Sequence, residues 1–477
     1  MSSRVLRVRN SVPALQEGVR AIEAEQKLDA TFPAEVTAAA VAAAANPRLP
    51  DLDRTDLALV TIDPVGAMDL DQAMHLERDG SGYVVHYAIA DVASFVEPGG
   101  PIDVEARRRG ESLYGAETKI PLHPPELSEA AASLLPGQVR PAFLWTIKLD
   151  ADGVQTDAHV ERARVRSTAR LDYDGVQKQL DGGTADPVLV LLKEIGTLRQ
   201  KQEAERGGVS LPMPEQVIDC TDTAWTVEFR QLLAVEDWNA QISLLTGFAA
   251  AAMMVYGKVG ILRTLPPPEP DAVKRLHRTA KALGIDWPAE QHYPDFIRSL
   301  DPKVPSNLAM VTACTALLRG AGYADFDGEV PAQPLHAALA SEYAHVTAPL
   351  RRLVDRFGLE TCAALCAGTP VPDWVRTGLA ELPDTMRDSG RRAHAYENAV
   401  LNLVEATVLA PRVGESFSGV VVEAEHDDPA KGDFVVQDPA VTATVTGSGP
   451  LPIGEQISAT LAEADPTTRK VTFTVPG

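Results

Sequence analysis

Cysteine is scarce in this 477-residue sequence: the four (Cys220, Cys314, Cys362 and Cys366) are too few for a disulfide scaffold and lack the paired spacing of a zinc site. They are expected as reduced thiols. Basic residues are in deficit, 44 Lys+Arg against 66 Asp+Glu, and the net charge of −22 excludes a bulk-basic, histone-like coat. Long apolar runs are also missing. Residues 36–45 and 248–256 fall short of the ~20 residues needed to span a bilayer, and the opening residues contain no apolar signal core. No membrane partner and a cytoplasmic location are expected. No P-loop, nucleophile elbow or His-Glu-x-x-His helix occurs. His394 and Glu397 lie one helical turn apart, but without a second copy they read as a surface pair.

What is present is ordinary globular material, 45% hydrophobic and 23% charged, long enough for two to four domains. Residues 1–50 read as a small helical module, its Ala-rich end stopped by Asn46-Pro47. From residue 57 the pattern turns to strands, with 73–78 and 83–90 flanking the turn Asp79-Gly80-Ser81-Gly82, and a mixed sheet is expected to about 167. Helical periodicity follows at 234–256, 271–283, 335–345, 350–365 and 385–409. Beyond 412, five short β segments (416–423, 433–437, 441–446, 456–462, 470–475) are separated by Gly, Pro and Asp. That string suits a small closed barrel of OB type, with an SH3-like barrel as the alternative. The fold class expected is α+β, divided into a helical module (1–50), a sheet-and-helix catalytic domain (51–411) and an OB-type barrel (412–477).

The chemistry concentrates in Val60-Thr61-Ile62-Asp63-Pro64-Val65-Gly66-Ala67-Met68-Asp69-Leu70-Asp71-Gln72. Asp63 ends an apolar strand, a Pro/Gly loop follows, and residues two apart in extended chain share a side, so Asp69 and Asp71 converge. Gathered carboxylates repel unless a cation neutralises them, and hard divalent ions are the natural occupants. A pair of such ions about 3.5–4 Å apart clamps the attacking and leaving oxygens of a phosphodiester. Aspartates are equally common in turns and caps, and a glycosyltransferase-type Asp-x-Asp fits the same spacing. The spacing alone leaves these open.

The wider context resembles the ribonuclease II (RNB) family. The resemblance rests on residues 61–74, Ala88-Ile89-Ala90-Asp91-Val92, Arg109-Gly110-Glu111-Ser112-Leu113-Tyr114, Ile120-Pro121-Leu122-His123-Pro124, Val139-Arg140-Pro141 and Tyr343-Ala344-His345-Val346-Thr347-Ala348-Pro349-Leu350-Arg351-Arg352. These blocks stand in family order over roughly residues 52–410. The resemblance implies processive 3′→5′ hydrolysis of single-stranded RNA to 5′-mononucleotides by a chain acting as a monomer. The implied cofactor is Mg2+, as one ion or two, with Mn2+ as substitute. It assigns Asp63, Asp69, Asp71 and Gln72 to the metal site, and Asp71 and Arg351 to catalysis. Tyr114, Arg109, Thr347 and Arg352 fall to substrate binding. Gln72 departs from the family, which carries a fourth acid there; an amide oxygen can ligate but brings no charge. An RNA-binding protein with weak or lost catalysis is therefore the alternative. The family's N-terminal cold-shock barrels have no room in the first 50 residues, and the tail resembles the family's S1-type barrel. Because the chain is acidic overall, RNA is expected to follow a local lane of arginines, among them Arg107–Arg109, Arg162, Arg164, Arg166, Arg170, Arg356, Arg387, Arg391 and Arg392.

Overall fold

The computed structural model describes residues 6–8, 13–115, 119–211, 215–220, 225–425 and 427–475. Its centre is a five-stranded barrel of Leu59–Asp63, Gln72–Asp79, Gly82–Ala90, Val139–Leu149 and Gln155–Asp172, hydrogen-bonded in that order and closed on itself. The mixed sheet expected from the sequence is thus a closed one. Closure depends on the 18-residue length of Gln155–Asp172. Its first part pairs antiparallel with Val139–Leu149, and its last residues run parallel to Leu59–Asp63 with Asp63 opposite Asp172.

Alternation along the strands sorts the side chains into two buried clusters. Val60, Ile62, Met74, Tyr87, Phe143 and Trp145 pack with the helices Pro187–Arg206 and Ala234–Gly257. Leu59, Ala73, Ala88, Leu144, Ala163 and Val165 meet Val36 and Ala40 of the helix Ala34–Ala45. Ala234–Gly257, with 24 residues, is the one helix among those described whose length and hydropathy would allow a membrane crossing. Its Val235, Ile242, Leu245, Ala249 and Met254 are buried in the larger cluster.

The first 50 residues differ from the all-helical expectation. Besides Pro13–Glu25 and Ala34–Ala45 they supply a strand, Leu6–Val8, which pairs parallel with Glu215–Cys220 in a three-stranded sheet completed by Trp225–Arg230. Leu15, Val19 and Ile22 lie against Tyr396, Val400 and Leu403 of the long helix Leu382–Leu409, so the two head helices dock at separate places. The helix expected at 335–345 is also absent. Two-residue strands, Leu335–His336 and Ser341–Glu342, flank a turn in which Ala340 has φ +49°. The helix loses because this backbone is already engaged: Leu335 O accepts from Leu265 N (3.1 Å), and Ala337 N donates to Leu265 O (3.0 Å).

The tail forms the expected closed five-stranded barrel, Ser416–Ala424, Lys431–Gln437, Ala440–Thr446, Gln456–Asp465 and Lys470–Thr474. Its core holds Phe417, Phe434 and Phe473 in edge-to-face contact. Val420, Val422 and Val435 on its outside cover Leu308 and Ala309 of the helix Pro305–Cys314. Cys314, Cys362 and Cys366 are unpaired thiols, as expected, while the side chain of Cys220 lies outside the described residues.

Candidate active site

The loop between the barrel strands Leu59–Asp63 and Gln72–Asp79 carries the acidic residues. Ser133 clamps it: its Oγ accepts from Leu70 N (3.0 Å) and donates to Met68 O (2.6 Å). Asp71 follows, its carbonyl accepting from Ala90 N at 2.9 Å and its side chain buried at 4% exposure. One carboxylate oxygen takes the Leu350 N–H at 2.8 Å, and the other lies 3.6 Å from Arg351 Nε. These contacts join two parts of the sequence 279 residues apart.

The Arg351 turn is itself braced. Asp355, fully buried, accepts from Ala348 N (2.6 Å) and takes both Nε and Nη2 of Arg352 at 2.8 Å. Ser112 N donates to Arg351 O and Leu353 N to Gly110 O, both at 2.9 Å, which ties the segment before Tyr114 to the same turn. The Tyr114 hydroxyl thereby reaches Asp69 Oδ2 at 3.3 Å while the residue as a whole stays 37% exposed. Lys119, paired across a short hairpin with Tyr114, places its ammonium 2.7 Å from the same Asp69 oxygen.

The electrostatics are those of a carboxylate cluster short of positive charge. Burial and the neighbouring Asp69 carboxylate push Asp63 up to about 6, against the pull of Arg351. Burial pushes Asp71 up to about 8, although Arg351 and the Leu350 N–H pull the other way. Burial of the Tyr114 hydroxyl beside Asp69 raises it as well. Asp63 Oδ2 is buried without a hydrogen-bond partner. An orphaned buried carboxylate oxygen beside a second carboxylate fits a hard divalent cation. Among the described residues, however, no three Asp, Glu, His or Cys side chains stand close enough to hold an ion between them. Asp63, with its orphaned Oδ2, and Asp69, whose Oδ2 already meets Lys119 and Tyr114, are the two acids left for one, whereas Asp71 is turned to the Leu350 N–H. Gln72 donates its amide to the carbonyl of Thr347.

Three expected substrate contacts are placed differently. Arg109 is buried, with Nε on Glu105 (2.7 Å), Nη1 on Pro121 O (3.1 Å) and Nη2 on Thr31 O (2.7 Å), and it stacks over Phe32. It pins the head segment to the barrel side, with its three nitrogens all engaged within the protein. Thr347 is buried at 4% exposure and serves as the acceptor for Gln72. Arg352 is spent on Asp355. The expected arginine lane is likewise largely neutralised: Arg107, Arg108, Arg162, Arg164, Arg356, Arg387 and Arg391 all pair with carboxylates. Arg166, Arg170 and Arg392 are exposed and have no ion pair among the described residues, Arg392 donating instead to the Arg108 and Arg109 carbonyls, and Arg351 is 46% exposed in its side chain. His394 shares a hydrogen bond with Asn398 on its own helix, so it makes no metal pair with Glu397.

Sequence reasoning missed Ser133, Asp355 and Lys119. Ser and Asp at a loop and a first helical turn are too common to single out, and nothing in Lys119-Ile120-Pro121 shows that a hairpin will aim the lysine at Asp69.

Residues 52–357 match the RNB domain model, and residues 415–476 match the RNase II-type exonuclease C-terminal S1 domain. The chain belongs to the RNB family. Ribonuclease R of Mycoplasma genitalium is 27% identical over 393 residues, covering 77% of this chain and 53% of the relative. Ribonuclease R of Escherichia coli K12 is 29% identical over 322 residues, covering 64% and 39%. The chain spans about half the length of the curated relatives it matches. Among solved structures, Mycoplasma genitalium RNase R in complex with ribose-methylated single-stranded RNA aligns with a TM-score of 0.85 at 21% identity, covering 97% of this chain and 78% of that one. Yeast Ssd1, a pseudonuclease, aligns at 0.68 with 16% identity, covering 96% and 58%. Both likenesses are of fold. The RNB match contains the whole acidic loop and the Arg351 turn.

Proposed function

We propose that the protein is a metal-dependent 3′→5′ exoribonuclease that hydrolyses single-stranded RNA to 5′-mononucleotides. The observation that carries this reading is the junction of Asp71 with Leu350 and Arg351, which sets a buried acid beside a half-exposed guanidinium and an exposed tyrosine ring. A divalent cation held by Asp63 and Asp69 would supply Lewis-acid polarisation of the phosphate and a more acidic water. Arg351 braces the phosphoryl oxygens as negative charge builds on them, a preorganised effect for which loss of one donor costs about 10²–10³ in rate. Tyr114 offers a ring face to the terminal base, worth about 1–3 kcal/mol whatever the base. Asp71 lies at the reacting end and, once ionised, accepts the proton of the attacking water. The P–O3′ bond then breaks and O3′ takes up a proton from solvent, to which Asp71 returns its own, leaving a 3′-hydroxyl on the shortened strand and a 5′-phosphate on the released nucleotide.

The test is 5′-labelled single-stranded RNA incubated with the full chain and Mg2+. Stepwise shortening with mononucleotide release supports the nuclease. One observation favours a second reading, an RNA-binding protein with little catalysis: Gln72 uses its amide as a brace on Thr347 and adds no charge to the site. RNA retained on the protein at full length is the outcome that selects it.

A further inference from the structure

Lys119 is a cation at the site with no part in the chemistry above. The hairpin Leu113–Tyr114 with Lys119–Ile120 delivers it. Its ammonium stands 2.7 Å from Asp69 Oδ2 and 3.1 Å from Glu129 Oε1, with the side chain only 20% exposed. Glu129 belongs to the short helical turn Leu127–Ala131, which Ser128 anchors by donating to His123 O at 3.1 Å. A positive charge already bridges these two carboxylates. Asp63 is near enough to Asp69 for the two carboxylates to repel, and its Oδ2 is buried and unpartnered.

Charge balance points the same way. Among the described residues, Asp63, Asp69, Asp71 and Glu129 face three side-chain cations, Arg351, Lys119 and, toward Asp63, Arg170, which leaves one negative charge at full ionisation. One divalent ion already more than offsets that. A second would bring two uncompensated positive charges into a partly buried site, at a desolvation cost nothing there offsets. Gln72 brings no further charge to offset it.

We propose that this site takes a single divalent cation, seated against Asp63 and Asp69, and that the Lys119 ammonium stands in for a second ion between Asp69 and Glu129. The inference rests on the nuclease reading only in taking this cluster as a metal site. Lys119 is a positioning residue here: it fixes Asp69 and supplies a permanent positive charge. Its removal frees two carboxylates that a divalent ion can bridge.

The experiment counts Mn2+ bound to the full chain by the electron paramagnetic resonance signal of the free ion, in parallel with thermal melts that establish folding. One Mn2+ is expected for the parent and for Lys119→Arg. Two are expected for Lys119→Met or Lys119→Gln, and none for Asp63→Asn. Two ions on the parent overturn the proposal. So does one ion on a folded, neutral Lys119 variant, or an ion retained by Asp63→Asn. RNA shortening is read separately. A chain that binds ions in the stated numbers but never shortens RNA keeps the ion assignment and loses the nuclease reading. The reverse result loses the ion assignment alone.

Discussion

Among the residues at the site, Asp71 and Arg109 separate function from support. Asp71 contacts Leu350 N and Arg351 and is the base in the proposed mechanism, so Asp71→Asn keeps the shape and an acceptor for Leu350 N while removing the base. Its single-turnover rate on RNA is expected to fall by about 10²–10⁴ with binding retained, because general-base contributions have that size. A variant that degrades RNA at the parental rate places the chemistry elsewhere. Arg109→Ala is expected to act on stability instead. Removing one partner from a buried ion pair costs about 3 kcal/mol at the low end, and the low end applies because Arg108 keeps Glu105 paired. Chemical denaturation with an RNA-binding control distinguishes this from a substrate contact, for which affinity would drop while the midpoint held.

Elements position these residues through close backbone approach. Gly247, within Ala234–Gly257, lies against the segment leading to the Arg351 turn: a Cβ there would come 2.1 Å from the Tyr343 ring and 2.8 Å from the Ala344 carbonyl oxygen. The carbonyl cannot swing away cheaply, because Ala344 N donates to Gly247 O at 3.2 Å. Gly247→Ala is expected to destabilise by about 1–3 kcal/mol, measured as a lower denaturation midpoint. The long helix Leu382–Leu409 carries a pH-dependent strain at Glu397, raised to about 7 by burial and by the facing Glu111 carboxylate. A raised carboxylate binds its proton better in the folded state, so its contribution is fullest below about 4.5 and is lost as pH climbs through 7. Glu397→Gln is expected to melt higher than the parent at pH 8 and to lose most of that advantage at pH 4.5. Equal gains at both pH values would exclude the carboxylate as the cause. How far such elements could be read in advance varied with their signals. The tail strands were legible because alternation and Gly/Pro/Asp punctuation agree there, and the helix at 234–257 because its periodicity is long. Residues 335–345 were misread because Ala and Leu favour a helix locally while Arg263–Leu265 claims the backbone. Asp63, Asp69 and Asp71 could be found from spacing and family resemblance. Which arginines would be buried against acids, as Arg109 and Arg352 are, depends on contacts that no local pattern encodes.

Over the whole molecule, the proposed function requires a net charge of −22 to meet a polyanion. With most of the candidate arginines tied to carboxylates, the exposed ones without an ion pair among the described residues are Arg166, Arg170 and Arg392, while Arg351 stands 3.6 Å from Asp71. Three phosphate contacts to a single strand correspond to a slope of about −2 in log affinity against log salt. A slope that shallow is expected from titrations between low and moderate ionic strength. A slope several times steeper would require a basic track on another face. The two barrels differ in what they present. The central one presents the acidic loop and the tail one covers the helix Pro305–Cys314, its aromatic rings turned inward to its own core.

The hydrogen bond from Leu350 to Asp71 also sets a timetable. At about 5–20 residues per second, a ribosome needs on the order of 14–56 s to travel the 279 residues between the two. Throughout that interval the emerging polypeptide exposes its aspartates without the turn that completes the site, so whatever chemistry the junction performs is withheld until translation is well advanced.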